Sequence, residues 1–491
     1  MSAPPRRRGA RLYLGASFAA QVCALIRYTA LARLLGPEQL GLAATLILTS
    51  QFFDSVTDSG SDRYLIQDRD GDAPDVQRFV QLVFVTRGVV TAGLLVAISG
   101  PLAAFYHASS LASGLIILAI SPLIFGFIHL DMRRAQRHED FRTEGIALLV
   151  GEAAALCVTL AAALMTHNYM SSVYGLIVRS ACIVAVSHLC SKRKYALGYA
   201  ASRAASLARF ALPLTLNGLL LFLGSQGDRV LIGNQLGLTA LGKYSAVILL
   251  IFYPSGVVTR YLAAIHLPRV AVAGRLHERH SVTAAERLAG QTLLIGLGMC
   301  AGFAAIGPMA VSVLYGAKFV QPPVDVCLIG ILQTARFVRL WPNTAALAIG
   351  RSGIVLANNV ARLVGLAIGL AAGVSGLGIP GVVAGLIAGE FLALFTAILL
   401  LNRATTSSLA RDLDRFAILA LECAALALAA FAYQHHQVLL GAAAGIVGVG
   451  TIGWAMARER ATITDLLTMI ARIVRDRGRR AVAEPIGPAQ P

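Results

Sequence analysis

Charge is what this sequence has least of. Asp, Glu, Lys and Arg make up 14% of its 491 residues, against roughly 25% in a soluble domain. Acidic residues are the scarcer half, 25 against 42 Lys and Arg, which leaves a net charge of +17. No stretch between the apolar runs is long enough for a large soluble domain. The seven cysteines (Cys23, Cys157, Cys182, Cys190, Cys300, Cys327 and Cys423) are scattered with no CxxC spacing, so neither a metal site nor a redox pair is expected. HExxH and triad-like clusters are absent as well. That removes the usual signatures of a zinc hydrolase or a triad enzyme, and no cofactor is implied.

Apolar residues fill the space that charge leaves. They account for 57% of the chain, with mean hydropathy +0.70, and recur in runs of about 20 residues, each long enough to cross a hydrocarbon core of about 30 Å as a helix. The pattern predicts an all-α polytopic membrane protein of about 14 transmembrane helices. The expected spans are 12–35, 39–58, 79–99, 111–130, 145–165, 170–190, 209–235, 240–265, 287–310, 325–349, 353–373, 379–401, 415–432 and 438–457. Arg6, Arg7, Arg8 and Arg11 ahead of the first run resemble a signal peptide, but the run is too long for an h-region.

Loop charge tests that plan. With a cytoplasmic N-terminus the inside connections hold about 31 Lys and Arg and the outside connections about one, Lys318. A single missed helix would scramble the alternation. The expected placement is therefore multi-pass in a bacterial inner membrane with both termini cytoplasmic. Basic residues spread over short loops serve topology and do not suggest nucleic acid.

An internal repeat supports the same count. Leu35-Gly36-Pro37-Glu38-Gln39-Leu40-Gly41 and Leu236-Gly237-Leu238-Thr239-Ala240-Leu241-Gly242 are both LGxxxLG, at the first-to-second and seventh-to-eighth helix junctions. Six helices apart, an even number, they imply parallel repeats. The expected organisation is an N-lobe at 1–190, a cytoplasmic linker at 191–208, a C-lobe at 209–401, an appended helix pair at 402–457 and a basic amphipathic cytoplasmic tail at 458–491. Ile463, Leu466, Leu467, Ile470, Ile473 and Val474 recur at helical spacing among arginines in that tail, as on a helix lying along an anionic leaflet. Glycines at fourfold spacing, Gly365, Gly369 and Gly373 with Gly381, Gly385 and Gly389, predict close helix packing.

Charges inside the spans are the candidate functional residues. An arginine at mid-membrane costs about 2.5–3.5 kcal/mol on insertion scales and less near an end. Arg33, Lys243, Arg260 and Glu422 are expected near helix ends, facing headgroups. Arg27, Arg87, Arg179, Arg229, Arg336, Arg339 and Arg362 lie roughly 9 Å or more inside at 1.5 Å per residue, and all of them but Arg229 are the candidate substrate-binding set. Arg336 and Arg339 share one helix face, ahead of an expected kink at Trp341-Pro342. Asp54, Asp58, Glu152, Asp228, Arg229 and Glu390 are candidates for ion coupling or structural charge pairs, with Asp228 and Arg229 expected to neutralise each other. Deep arginines outnumber deep acids, and an uncompensated cationic cavity suits an anion gripped bidentately.

The segment Ala32-Arg33-Leu34-Leu35-Gly36-Pro37-Glu38-Gln39-Leu40-Gly41, followed by Asp58-Ser59-Gly60 and Leu65-Ile66-Gln67, resembles the N-terminal signature of Wzx-type polysaccharide flippases. Asp228-Arg229-Val230-Leu231-Ile232-Gly233, continuing through Leu241-Gly242-Lys243-Tyr244-Ser245 to Pro268, is similar to their second-lobe signature. The resemblance implies the multidrug/oligosaccharidyl-lipid/polysaccharide exporter fold, two six-helix lobes around a cavity that opens to alternate sides. It implies an undecaprenyl-diphosphate-linked oligosaccharide as cargo, a proton or sodium gradient as drive, and a polysaccharide polymerase or other assembly proteins as partners. Three other readings compete with this one. A sugar-polymerising or ligating membrane enzyme would present a sizeable outer loop, whereas the longest here, 311–324, is short and has no His. A multidrug exporter of the same superfamily wants acidic cavities for cationic drugs. A lipid II flippase fits the same charge logic as an oligosaccharide flippase.

Overall fold

The structure is a computed structural model and describes residues 5–57, 60–67, 70–276, 278–464 and 468. Asp58 and most of the expected amphipathic tail lie outside the described residues. Within them the chain is helical: α1 (Pro5–Leu35), α2 (Pro37–Val56), α3 (Ser61–Gln67), α4 (Pro74–Phe105), α5 (Ser110–Leu118), α6 (Ile120–Gly126), α7 (Asp131–Arg137), α8 (Arg142–Thr166) and α9 (Met170–Leu189). There follow α10 (Ala201–Gln235), α11 (Leu238–Leu276), α12 (Glu278–Tyr315), α13 (Pro323–Val338), α14 (Leu340–Ala348), α15 (Ser352–Val374), α16 (Gly378–Ala404), α17 (Leu409–Gln434) and α18 (Val438–Arg458).

Every expected span falls on a helix or a broken pair of helices. Among the described residues ten helices are long and apolar enough to cross a membrane, and the bent pair running from Ser110–Gly126 to Asp131–Arg137 adds an eleventh. The other expected spans fall on α2, α10 and the broken pair α13–α14, so the structure supports a polytopic all-α membrane protein without fixing fourteen crossings. Two boundaries move. The stretch 191–208 is only half a linker, because α10 begins at Ala201, where Ala201, Ala204, Ala205 and Ala208 favour helix. The break expected at Trp341-Pro342 lies at Arg339, since Pro342 can neither donate to nor avoid the Val338 carbonyl four residues earlier.

Contacts divide the chain into two compact units. The first holds Met1–Tyr253, Pro308–Gln321 and Leu363–Leu386, and the second holds Pro254–Gly307, Pro322–Arg362 and Ile387–Pro491. The division crosses α11 at Pro254 and α12 at Pro308, positions where the helix loses a backbone donor. Within the first unit the two LGxxxLG motifs meet reciprocally. A Cβ on Gly41 would overlap the Leu238 carbonyl, and a Cβ on Gly242 would overlap the Pro37 carbonyl. Gly36 and Gly237 turn the chain into these contacts at φ 82° and 85°, values that glycine adopts without steric cost. Leu40 and Leu241 are fully buried beside them. The sequence repeat is thus also a structural contact between equivalent hairpins.

Small residues set the remaining close approaches in this unit. Gly145 faces Tyr13 and Ala16 of α1, and Gly151 faces Ile183 and the Arg179 carbonyl of α9. Gly385 meets the backbone of Gly369, as the fourfold spacing predicted. Outside the spans, Asp72 accepts from His138 at 3.2 Å and faces Arg137 at 3.4 Å. Slight burial pushes its carboxyl up, but these partners outweigh it and hold it below the ordinary aspartate range. The second unit is built on an apolar core around Leu293, Ile331, Trp341, Leu394 and Ile418.

Candidate functional site

Glycines place α8 between α1 and α9, and Glu152 projects from α8 where the three meet. Its Oε1 accepts from Arg179 Nε at 2.5 Å, and its Oε2 lies 3.3 Å from Arg27 Nη2. Glu152 is 8% exposed, so in a low-dielectric setting one carboxylate serves two guanidinium groups.

Arg27, Arg179 and Glu152 line a cavity of about 460 Å³ in the first unit, together with Arg87, Asp54 and Arg229. Arg87 is held at the C-terminal end of α2, where it donates to the Asp54 carbonyl at 2.9 Å and to Thr57 Oγ1 at 3.0 Å, with the Asp54 carboxylate 3.8 Å away. A cation at the carbonyl end of a helix is favourably placed. Arg229 comes from α10. The expected neutralisation by Asp228 does not form, because adjacent helical residues point about 100° apart. Asp228 instead accepts from the Tyr244 hydroxyl at 2.7 Å and from the Arg229 amide at 2.8 Å. The Arg229 side chain borders the cavity with a buried Nε that has no hydrogen-bond partner. Among the described lining residues, four arginines against two carboxylates make a formal excess of two positive charges.

The other candidate arginines gather elsewhere. In the second unit Arg336, Arg339 and Arg362 converge on Glu390, at 3.1, 3.2 and 2.9 Å. Arg339 also donates to Asn358 and Asn359, both at 3.0 Å. None of the three lines the 460 Å³ cavity, and Glu390 is 2% exposed. Arg33, at the end of α1, donates to the carbonyls of Leu314 and Val313. Glu422, expected at a helix end facing headgroups, is fully buried and accepts from Thr451. The reason is that α17 starts at Leu409, six residues before the expected span, which puts Glu422 in mid-helix. Sequence reasoning assigned Arg229 to a structural pair and so passed over it as a cavity residue. Its depth within α10 was the available signal.

Among the described residues no group of His, Cys, Asp and Glu is placed to hold a metal ion. What the cavity can do chemically is hold an anion with several oxygens by charge-assisted, bidentate hydrogen bonds.

Comparison with known proteins gives the fold a context. The succinoglycan biosynthesis transport protein ExoT of Rhizobium meliloti is 25% identical over 293 residues, which is 59% of this chain and 58% of that one. The chain thus matches little more than half of that relative's length. A structure of the lipid II flippase MurJ in an inward closed conformation superposes with TM-score 0.64 at 13% identity, covering 92% of this chain and 99% of that one. An inward-facing multidrug resistance MATE family transporter of the MOP superfamily superposes with TM-score 0.59 at 14% identity, covering 83% and 94%. At such identities the two structures speak for the fold, which is that of the superfamily the sequence motifs implied. The model of one family, described as polysaccharide biosynthesis protein, matches residues 30–322. That span includes both LGxxxLG motifs and the cavity lining apart from Ala24, Arg27 and Tyr28, so this multi-pass membrane chain belongs to the polysaccharide biosynthesis protein family.

Proposed function

We propose that the chain is a flippase that moves an undecaprenyl-diphosphate-linked oligosaccharide repeat unit from the cytoplasmic to the periplasmic leaflet, for surface polysaccharide biosynthesis. Transport proceeds by alternating access around the cationic cavity, with the protein in the bacterial inner membrane and both termini cytoplasmic. The observation that carries this reading is the excess of two positive charges among the described residues lining a cavity built from long apolar helices. Four guanidinium groups at that depth are costly without an anion to bind, and a diphosphate supplies one with the right geometry. Family membership and the resemblance to a succinoglycan transport protein favour a glycan on the lipid carrier. A proton or sodium gradient supplies the drive in this reading, and a polymerase takes up the exported unit. The chain is a transporter and performs no bond chemistry. A lipid II flippase is the second reading, favoured by the likeness to MurJ.

The test replaces Arg27, Arg87, Arg179, Arg336, Arg339 and Arg362 singly with Ala and with Lys. Membrane abundance, surface polysaccharide and lipid-linked unit accumulated inside are then measured. Ala at Arg27, Arg87 or Arg179 is expected to abolish export at normal abundance, and Lys to rescue only in part because it keeps the charge and loses the fork. Normal export by all six Ala variants would overturn the reading. Loss of peptidoglycan synthesis with intact surface polysaccharide would transfer it to lipid II.

A further inference from the structure

Each compact unit gathers arginines on one buried carboxylate, and the repeat exchanges their signs. Ten residues into α8, which starts at Arg142, stands Glu152, and ten residues into α15, which starts at Ser352, stands Arg362. On the helix that follows, the partner is Arg179 in one case and Glu390 in the other. The settings differ. Around Glu390 the arginine side chains are 14%, 8% and 9% exposed and border no part of the cavity. Around Glu152 they are 17% exposed for Arg27 and 31% for Arg179, and both line it.

Like Glu390, whose Oε2 and the Arg339 Nε lack hydrogen-bond partners, Glu152 satisfies its partners incompletely, but here the unpaired donors line a cavity. Its Oε2 lies close to Arg27 without making a hydrogen bond, and Arg27 Nη1 is buried with no partner. Arg229 Nε on the same wall is in the same condition. Donors that stand idle beside a single carboxylate are placed to take more oxygens than that carboxylate offers.

We propose that Glu152 is a resident counter-anion that the substrate's diphosphate displaces from Arg27 and Arg179. The inference rests on the reading of the cavity as the diphosphate site. In the empty cavity Glu152 offsets one of the two positive charges of Arg27 and Arg179, which would otherwise face each other uncompensated. When a diphosphate enters, its oxygens take both guanidinium forks and the idle donors, and the carboxylate swings away along the wall. The exchange sets the affinity. Without an internal competitor a diphosphate held by several guanidinium groups in a low-dielectric site would leave slowly, whereas a carboxylate beside them reclaims the arginines as the lipid departs.

The test measures binding of farnesyl diphosphate to the purified full chain in detergent, for wild type, Glu152→Gln, Glu152→Asp, Arg27→Ala and Arg179→Ala. Removing the competing charge in Glu152→Gln should tighten binding about tenfold or more, the scale of one lost hydrogen bond between charged groups, while export in cells slows. Glu152→Asp keeps the charge but is too short to serve both arginines, so it should tighten binding by less, and it decides the matter if the Gln variant folds poorly. Both arginine variants should bind more weakly. Weaker binding by the arginine variants with no gain in either Glu152 variant overturns the counter-anion inference and leaves the site reading standing. Unchanged binding by the arginine variants overturns the site reading, and the inference with it.

Discussion

Replacing Glu390 with Gln removes one negative charge from the centre of three arginines while keeping the shape of the side chain. The three guanidinium groups lie 2.9–3.2 Å from its carboxylate oxygens, and its side chain is 3% exposed. Breaking a buried pair by removing one partner costs about 3–5 kcal/mol, because the remaining charge is left uncompensated. Here three remain, which raises the cost. Arg339 keeps neutral partners in Asn358 and Asn359, which lowers it. An expected loss of about 4 kcal/mol follows, the middle of that range. It should appear as a lower melting temperature of the purified full chain in detergent and as reduced abundance in the membrane. Changing Arg362 to Gln as well removes one of the three positive charges and should recover part of both. A Glu390→Gln protein with wild-type melting temperature and abundance would show that the cluster does not depend on its acid.

One further outcome follows from the fold and another from the loop charges. Gly41→Ala and Gly242→Ala each push a methyl group into a carbonyl of the opposite hairpin, and overpacking of this kind costs about 1–3 kcal/mol. Both variants should melt lower than wild type, whereas Gly15→Ala, where a Cβ meets nothing within 4 Å, should not, and equal melting of all three would refute the reciprocal contact. Reporter fusions after residues 140, 200, 280 and 470 should read cytoplasmic and those after 106, 168 and 435 periplasmic. A periplasmic signal at 200 would break the parallel-repeat plan.

What the sequence by itself determined is what can be read along one helix at a time. Hydropathy over about 20 residues located the helices, since the cost of burying polar groups in hydrocarbon adds up locally. Loop arginines set the expected topology, and the two LGxxxLG motifs announced the repeat. The depth of Arg27, Arg87, Arg179 and Arg229 within their helices was also legible, and so was the shortage of acids to match them.

Only the tertiary structure decided which acid each arginine meets. Glu152 takes Arg27 and Arg179, and Glu390 takes three arginines from α13, α15 and the break at Arg339. Asp228 turns to Tyr244 and leaves its neighbour Arg229 on the cavity wall, and Glu422 is buried where a headgroup contact was expected. These outcomes depend on the rotation of each helix about its axis and on which helix lies beside it. A hydropathy window averages over that rotation, and a step of one residue turns a side chain by about 100°. Depth in the membrane is a property of one segment. The partner of a buried charge is a property of two, and it exists only once glycines such as Gly145 and Gly151 have brought those segments together.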